Sequence, residues 1–304
     1  MTRRVRIFQV DAFTSRLFAG NPAAVVLDAQ QLAEAELQSL ARELRGGDTA
    51  FVLPPDGADH DLRVRFFTPR AETAFVGHAT LAVHAVRDAL GLPPCRRQKQ
   101  GNRIIDAGRI DVAAAAPPHT RYYFEQPPPP LHGVLADEAL RAVLAALGLD
   151  AGDLDPRCPA IAAGDRRARA LIAVRDGATL ARVRPDLAQL AALSAAGCPP
   201  GYFVYTRSPA VPGCDTEARM FCPAIGIDED PVSGNAHALL AVHLHSLGLV
   251  AERAGELRFT GRQGHHIGRP GVVEVLMRRT GAAVSGVRIA GEAVIAFEAT
   301  AGLP

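Results

Sequence analysis

Apolar and polar residues alternate from Val5 to Asp11, which predicts a short opening strand. The turn Gly20-Asn21-Pro22 separates it from the apolar run Ala23 to Leu27, and Leu32 to Leu44 has helical spacing. Ala50 to Leu53 and Leu62 to Thr68 predict strands, Thr80 to Leu90 a helix, and Arg103 to Ala114 paired strands broken at Gly108. The proline run Gln126 to Pro130 fixes an extended backbone that neither a helix nor a central strand can use, so a domain connection is expected there. Beyond it, helices are expected at Asp137 to Leu147, Asp186 to Ala195 and Ala236 to Leu247. Strands are expected at Ala170 to Val174, Gly201 to Thr206 and Arg219 to Cys222, and through most of the tail from Gly271.

The two halves repeat each other. Phe67-Thr68-Pro69 returns as Phe221-Cys222-Pro223, an offset of 221 − 67 = 154, and Gly77-His78-Ala79 returns as Gly234-Asn235-Ala236, an offset of 234 − 77 = 157. Leu90-Gly91-Leu92 returns as Leu247-Gly248-Leu249, Gln100-Gly101 as Gln263-Gly264, and Gly108 to Val112 as Gly271 to Val275. The order is kept while the offset grows slowly, as loop insertions in a duplicated unit would produce.

Candidate chemistry gathers at the repeated turns. A glycine opening a helix lets a ligand approach the backbone, and the first-turn N–H groups with the helix dipole favour an anion there. Gly77 in one half, and Ser233, Gly234 and Asn235 in the other, are therefore candidate substrate-binding residues for a carboxylate. Asp48, His78 and Asp230 stand beside these turns and suit proton transfer, which needs a poised base and acid. Each residue also has a purely structural reading: Gly77 and Gly234 as tight turns, Asp48 as a turn residue, His78 as a hydrogen-bonder at a helix start, Asp230 as a helix cap.

Composition narrows the classes. Hydrophobic residues make up 48% of the 304, enough for a sizeable core, and the net charge of +1 gives no field for nucleic acid or an anionic membrane. The N-terminus is too short and polar for a signal peptide, and no apolar run approaches the ~20 residues of a membrane span, so a cytoplasmic protein is expected. The five cysteines form no CxxC pair, and His243, His245, His265 and His266 lack partners at metal spacing, so no metal is expected. Lys99 is the one lysine, in a polar stretch, Arg96 to Gln100, that reads as a solvated loop. A Schiff-base cofactor such as pyridoxal phosphate has no better candidate, so no cofactor is expected. GxGxxG, GxxxxGK[ST], HExxH and GxSxG are absent.

Taken together, Val10-Asp11-Ala12-Phe13-Thr14, Gly20-Asn21-Pro22-Ala23-Ala24-Val25, Phe67-Thr68-Pro69 with Glu72, Gly77-His78-Ala79-Thr80-Leu81, Glu229 to His237, and Gln263-Gly264 with Gly268-Arg269-Pro270-Gly271 resemble the PhzF (phenazine biosynthesis) family over nearly the whole chain. The resemblance implies an α+β, diaminopimelate-epimerase-like fold of two similar halves, each a curved mixed sheet around a central helix, with the active site in the cleft between them. The halves are expected at residues 1–118 and 122–304, the last strands being free to pack back on the N-terminal half. The resemblance also implies a homodimer and a cofactor-independent isomerase that shifts a proton within a small carboxylate-bearing metabolite. The name-giving member isomerises trans-2,3-dihydro-3-hydroxyanthranilate with a Glu, a His and an Asp. The His corresponds to His78 and the Asp to Asp230, while Asp48 stands where the family carries the Glu, one methylene shorter. A carboxylate-binding homologue without catalysis and a lyase on the same scaffold are the alternatives. The related two-cysteine epimerases place a thiol before each helix-opening glycine, where this chain has Val76 and Ser233.

Overall fold

The structure is a computed structural model that describes residues 3–45, 47–112, 119–165, 168–210, 212–253, 256–281 and 283–303. The chain forms β1 (Arg3–Ala12), β2 (Asn21–Val26), α1 (Glu34–Leu44), β3 (Asp48–Leu53), β4 (Leu62–Phe67), β5 (Glu72–Thr73), α2 (Gly77–Ala89), β6 (Arg97–Gln100), β7 (Arg103–Val112) and β8 (His119–Gln126). It continues with β9 (Leu131–Val134), α3 (Asp137–Leu147), β10 (Ile161–Ala163), β11 (Arg169–Val174), α4 (Gly177–Ala181), α5 (Leu187–Ala195), β12 (Gly201–Thr206), β13 (Thr216–Cys222) and β14 (Ile227–Asp230). It closes with α6 (Gly234–Ser246), β15 (Glu252–Arg253), β16 (Glu256–Gln263), β17 (Gly271–Thr280), β18 (Ala283–Gly291) and β19 (Ala293–Leu303). Two compact units result: residues 1–126 with 288–304, and residues 127–287. The first boundary falls in the proline run, and the chain re-enters the first unit within β18. Position 118, where a boundary was expected, lies outside the described residues.

Both units use the same order of pairings. In the first, β1 and β2 are antiparallel, β2 and β3 parallel, β3 and β4 antiparallel, β4 and β6 parallel, and β6 and β7 antiparallel. In the second, β10 and β11, β11 and β12, β12 and β13, β13 and β16, and β16 and β17 repeat that series of senses. β5 and β14 are the short antiparallel partners of β4 and β13.

One helix sits at the centre of each unit. α2 and α6 are both 13 residues long and buried around most of their circumference, which is how a core helix rather than a surface one reads. α2 packs on β1, β2, β3, β7, β8 and β19, so the first sheet curves around it. α6 packs on β17, and its His237 meets Phe203 of β12 edge-on, with ring centroids 5.2 Å apart. The helices stop alike. Gly91 and Gly248 take left-handed φ values of 63° and 70°, and their amides bond back to Asp88 and His245, while those of Leu92 and Leu249 reach Arg87 and Leu244. Glycine is favoured where a helix ends in that conformation. On the far face of each sheet the cover differs. α1 shields Val5, Ile7, Val26 and Phe51 with Leu37 and Leu40, whereas α3, α4 and α5 shield Ile172, Val174, Tyr202 and Val204.

The repeat extends to a pair of ionic forks. Arg65 of β4 grips Glu72 of β5 at 2.7 and 2.6 Å, and Arg219 of β13 grips Glu229 of β14 at 3.0 and 2.8 Å. Each guanidinium also lies over a phenyl ring, Phe67 or Phe221, at 5.2 and 5.0 Å. Bidentate pairing fixes geometry as well as energy, so the turn leading into each central helix is held in the same way.

Two local expectations are corrected. Arg97–Gln100 is strand β6 and not a solvated loop: Gln98 and Gln100 are buried against the core, and Lys99 bonds Asp56 at 2.8 Å from the outward face. Polar residues alternate in and out there, so the apolar pattern that signals a strand is missing. Gly108 does not break β7, which runs through it to Val112; a Cβ at Gly108 would stand 2.9 Å from the Cys95 carbonyl oxygen, so glycine permits close strand approach. Ala113 and Ala114 of that expected pair lie outside the described residues.

Two core histidines set an acid limit on stability. Burial, assisted for His84 by the nearby Arg87 charge, pushes the pKa of His84 and of His237 down to about 4. Both stay neutral in the folded chain and protonate below about 6.5 once it unfolds. Their contribution is therefore complete above pH 6.5 and lost as pH falls towards 4, by roughly 3 kcal/mol each at the acid end. Denaturant melts at pH 7, 5.5 and 4.5 should show a falling midpoint, and His84→Gln should flatten the fall. A midpoint independent of pH across this window would contradict the assignment.

Candidate active site

Asp48 is the first residue of β3 and pairs with Ala23, the third residue of β2. Gly47 before it has φ 143°, and a Cβ there would lie 2.5 Å from the Pro22 carbonyl oxygen. The Gly20-Asn21-Pro22 turn can therefore touch the chain just ahead of Asp48 only because position 47 lacks a side chain. Gly46 lies outside the described residues. His78 is the second residue of α2, and its Nε2 is 3.8 Å from Asp48 Oδ2. The two side chains keep 14% and 24% of their surface exposed, while the His78 Nε2 atom itself is buried. Val76 precedes α2 and contributes no side-chain cap to its first turn. Gly77 is buried, and a Cβ on it would stand 2.9 Å from Phe124, a ring held edge-on by Phe75 at 5.2 Å. Asp48 and His78 are thus brought together by a strand start and a helix start that both depend on glycine.

In the second unit Asp230 ends β14, directly after the Glu229 held by Arg219. It is not the cap of α6. That role falls to Ser233, whose Oγ accepts from the Ala236 amide at 3.3 Å. Gly234 is the buried first residue of α6, and Asn235 is the second. Asn235 Oδ1 is buried and has no hydrogen-bond donor among the described residues. Gln263 at the end of β16 accepts from the Ser233 amide at 3.0 Å and donates to the Asp230 carbonyl at 2.6 Å.

Superimposing the strand registers shows how the units diverge. Gly201 pairs with Arg169 at the start of β11 and β12, the place that Asp48 holds against Ala23. A side chain there would strike Arg169 Cδ at 2.5 Å. Asp230 faces Met220 as Thr73 faces Phe66, and Asn235 takes the helix position of His78. The first unit therefore carries a carboxylate and an imidazole where the second carries glycine and asparagine. The second carries a carboxylate where the first has threonine.

The forks and the Gln263 contacts hold the same turns, and Arg65 and Arg219 each stand two residues before the repeated Phe-x-Pro, a signal present in the sequence. Among the described residues no group of three or more His, Cys, Asp or Glu side chains is placed to hold a metal ion, and no helix is long and apolar enough to cross a membrane. None of the five cysteines forms a disulfide, and neither helix opening carries one. A cavity of about 270 Å³ in the second unit is lined by Arg207, Asp215, Leu244 and Phe259 among others. It belongs to the C-terminal end of α6, about 15 Å along the helix from Gly234 at the usual rise per residue, and so is separate from these turns.

Comparison with known proteins agrees with this architecture. Residues 10–299 match the family described as phenazine biosynthesis-like protein. The chain is 38% identical over 301 residues to an uncharacterized isomerase, YddE, of Salmonella typhimurium, covering 97% of both chains, and 36% identical to YddE of Escherichia coli over 297 residues, again covering 97% of each. A PhzF family protein from Bacillus anthracis superimposes with a TM-score of 0.87 at 24% identity, covering 98% of this chain and 99% of that one. A hydroxyproline epimerase from Agrobacterium vitis shares the fold, with a TM-score of 0.59 at 12% identity over 99% of this chain and 93% of that one. The fold is accordingly α+β and diaminopimelate-epimerase-like, with two similar halves. On this sequence and structural likeness, the chain belongs to the phenazine biosynthesis-like, or PhzF, family and is an isomerase.

Proposed function

We propose that this isomerase shifts a proton within a small carboxylate-bearing metabolite by general acid–base catalysis, without cofactor or metal. Asp48 is the proton-transferring group, with His78 and Asp230 relaying protons or orienting the substrate. The observation that carries this reading is the 3.8 Å approach of His78 Nε2 to Asp48 Oδ2, a carboxylate and an imidazole within ion-pair distance of each other at a helix start. The carboxylate takes a proton from carbon, the electron pair left behind is delocalised into the substrate, and a proton is returned at a second carbon, so no electrons are gained or lost overall. First-turn backbone N–H groups at Gly77, Gly234 and Asn235, with Ser233, hold the substrate carboxylate, since helix N-termini favour anions. They also stabilise negative charge as it develops. Asn235 Oδ1, buried without a donor, suits a substrate amino or hydroxyl group. Lys99 is engaged with Asp56 on the outward face of β6, which supports the cofactor-free reading. A homodimer and a cytoplasmic location complete the proposal, and sedimentation and fractionation test them.

Isotope uptake tests the chemistry. Incubation in D2O with pooled small amino- and hydroxy-carboxylates, including trans-2,3-dihydro-3-hydroxyanthranilate, should deposit deuterium at one carbon of the substrate. Asp48→Asn should lower turnover by about 100- to 10,000-fold, the usual contribution of general acid–base catalysis. Asp48→Glu, which keeps the carboxylate, should retain far more. Unchanged turnover in the Asn variant would remove Asp48 from the mechanism.

Chelation is a separate check. Turnover should survive EDTA and need no added pyridoxal phosphate. Loss on chelation, restored by a metal, would refute the metal-free reading.

A further inference from the structure

The dipeptide Gln263-Gly264 ends β16 in the second unit, and its counterpart Gln100-Gly101 ends β6 in the first. The two glutamines do different things. Gln100 Nε2 donates to Thr80 Oγ1 at 3.1 Å, and that hydroxyl donates to the Val76 carbonyl at 2.9 Å. Gln263, with no exposed surface, instead spans the turn ahead of α6: its Oε1 accepts from the Ser233 amide and its Nε2 donates to the Asp230 carbonyl. Gly264 has φ 86°, and a Cβ there would come within 2.7 Å of the Pro231 carbonyl oxygen, so the glycine lets the β16 end lie against the same turn.

The Ser233 peptide is also gripped from its other side. Nδ1 of the fully buried His237 lies 2.8 Å from the Ser233 carbonyl oxygen. A carbonyl only accepts, so Nδ1 carries the ring proton. The ring stands edge-on to Phe203 and over Gly261, where a Cβ would come within 2.1 Å of it. The Asp230 carbonyl, the Ser233 amide and the Ser233 carbonyl are therefore all held by buried side chains. This clamp belongs to the unit in which the residue entering the turn is Asp230 rather than Thr73.

We propose that Gln263 is a positioning residue whose side-chain amide fixes the Asp230–Ser233 turn and thereby aims the Asp230 carboxylate and the first-turn N–H groups of α6 at the substrate. The inference rests on the role given to Asp230 above. Two variants separate positioning from plain stability. Gln263→Met removes both hydrogen bonds. Gln263→Glu keeps an acceptor for the Ser233 amide but turns a carboxylate oxygen towards the Asp230 carbonyl. Only a protonated Glu can donate there as Gln does.

Amide hydrogen exchange, expressed as protection relative to intrinsic rates, reads the clamp without any substrate. Protection at Ser233 should fall about tenfold in Gln263→Met, the scale of one lost hydrogen bond, while the Leu239–Leu244 amides stay unchanged. In Gln263→Glu the loss at neutral pH should be reversed as pH is lowered through the titration of the new acid, with no such reversal in the Met variant. Deuterium uptake into the substrate should follow the same pH-dependent rescue. Unchanged Ser233 protection in Gln263→Met, or a Glu variant indifferent to pH, would overturn the proposal. Should Asp230→Asn leave substrate labelling unaltered while Ser233 protection still tracks Gln263, the clamp would stand as a structural device. Asp230 would then leave the chemistry and Gln263 would lose its positioning role.

Discussion

The first-turn N–H groups of a buried helix need acceptors, and the side chains entering α2 and α6 supply few of them. α2 and α6 are enclosed by their sheets and each begins at a buried glycine. Capped by side chains, such ends are inert; left available, they attract anions. Val76 offers α2 no side-chain cap, while Ser233 caps α6 only at the Ala236 amide. The glycines let each helix begin against its neighbours, as Gly77 does beneath the Phe124 ring.

Duplication then explains how one scaffold is put to two uses. The parts that hold the backbone were kept in both units: the order of strand pairings, the Arg65–Glu72 and Arg219–Glu229 forks, and the glycine stops after each central helix. The candidate site residues differ, with Asp48 and His78 in one unit answered by Gly201 and Asn235 in the other, and Thr73 answered by Asp230.

Much of this was legible in the chain, for identifiable reasons. Gly77 and Gly234 open their helices as the repeated motifs indicated, and helices such as Asp137–Leu147 sit where their spacing placed them, because apolar periodicity reports burial directly. Strand β6 was hidden because its inward residues, Gln98 and Gln100, are polar. Gly108 looked like a break because a sequence cannot distinguish a glycine that bends a strand from one that admits the Cys95 carbonyl. The meeting of Asp48 with His78 joins residues 30 positions apart. Motif resemblance named both, but only the folded registers bring them together. The Gln263 clamp was invisible because the same dipeptide occurs in both halves and grips the turn in just one.

If Asp48 and His78 act on a small carboxylate as proposed, a crystal soaked with pooled small carboxylates should show one bound beside them. The expected density is a molecule whose carboxylate is hydrogen-bonded by first-turn amides of α2, with a carbon of the same molecule facing the Asp48 carboxylate. A carboxylate with no carbon near Asp48, or one bound instead in the cavity beside Arg207, would contradict the proposal.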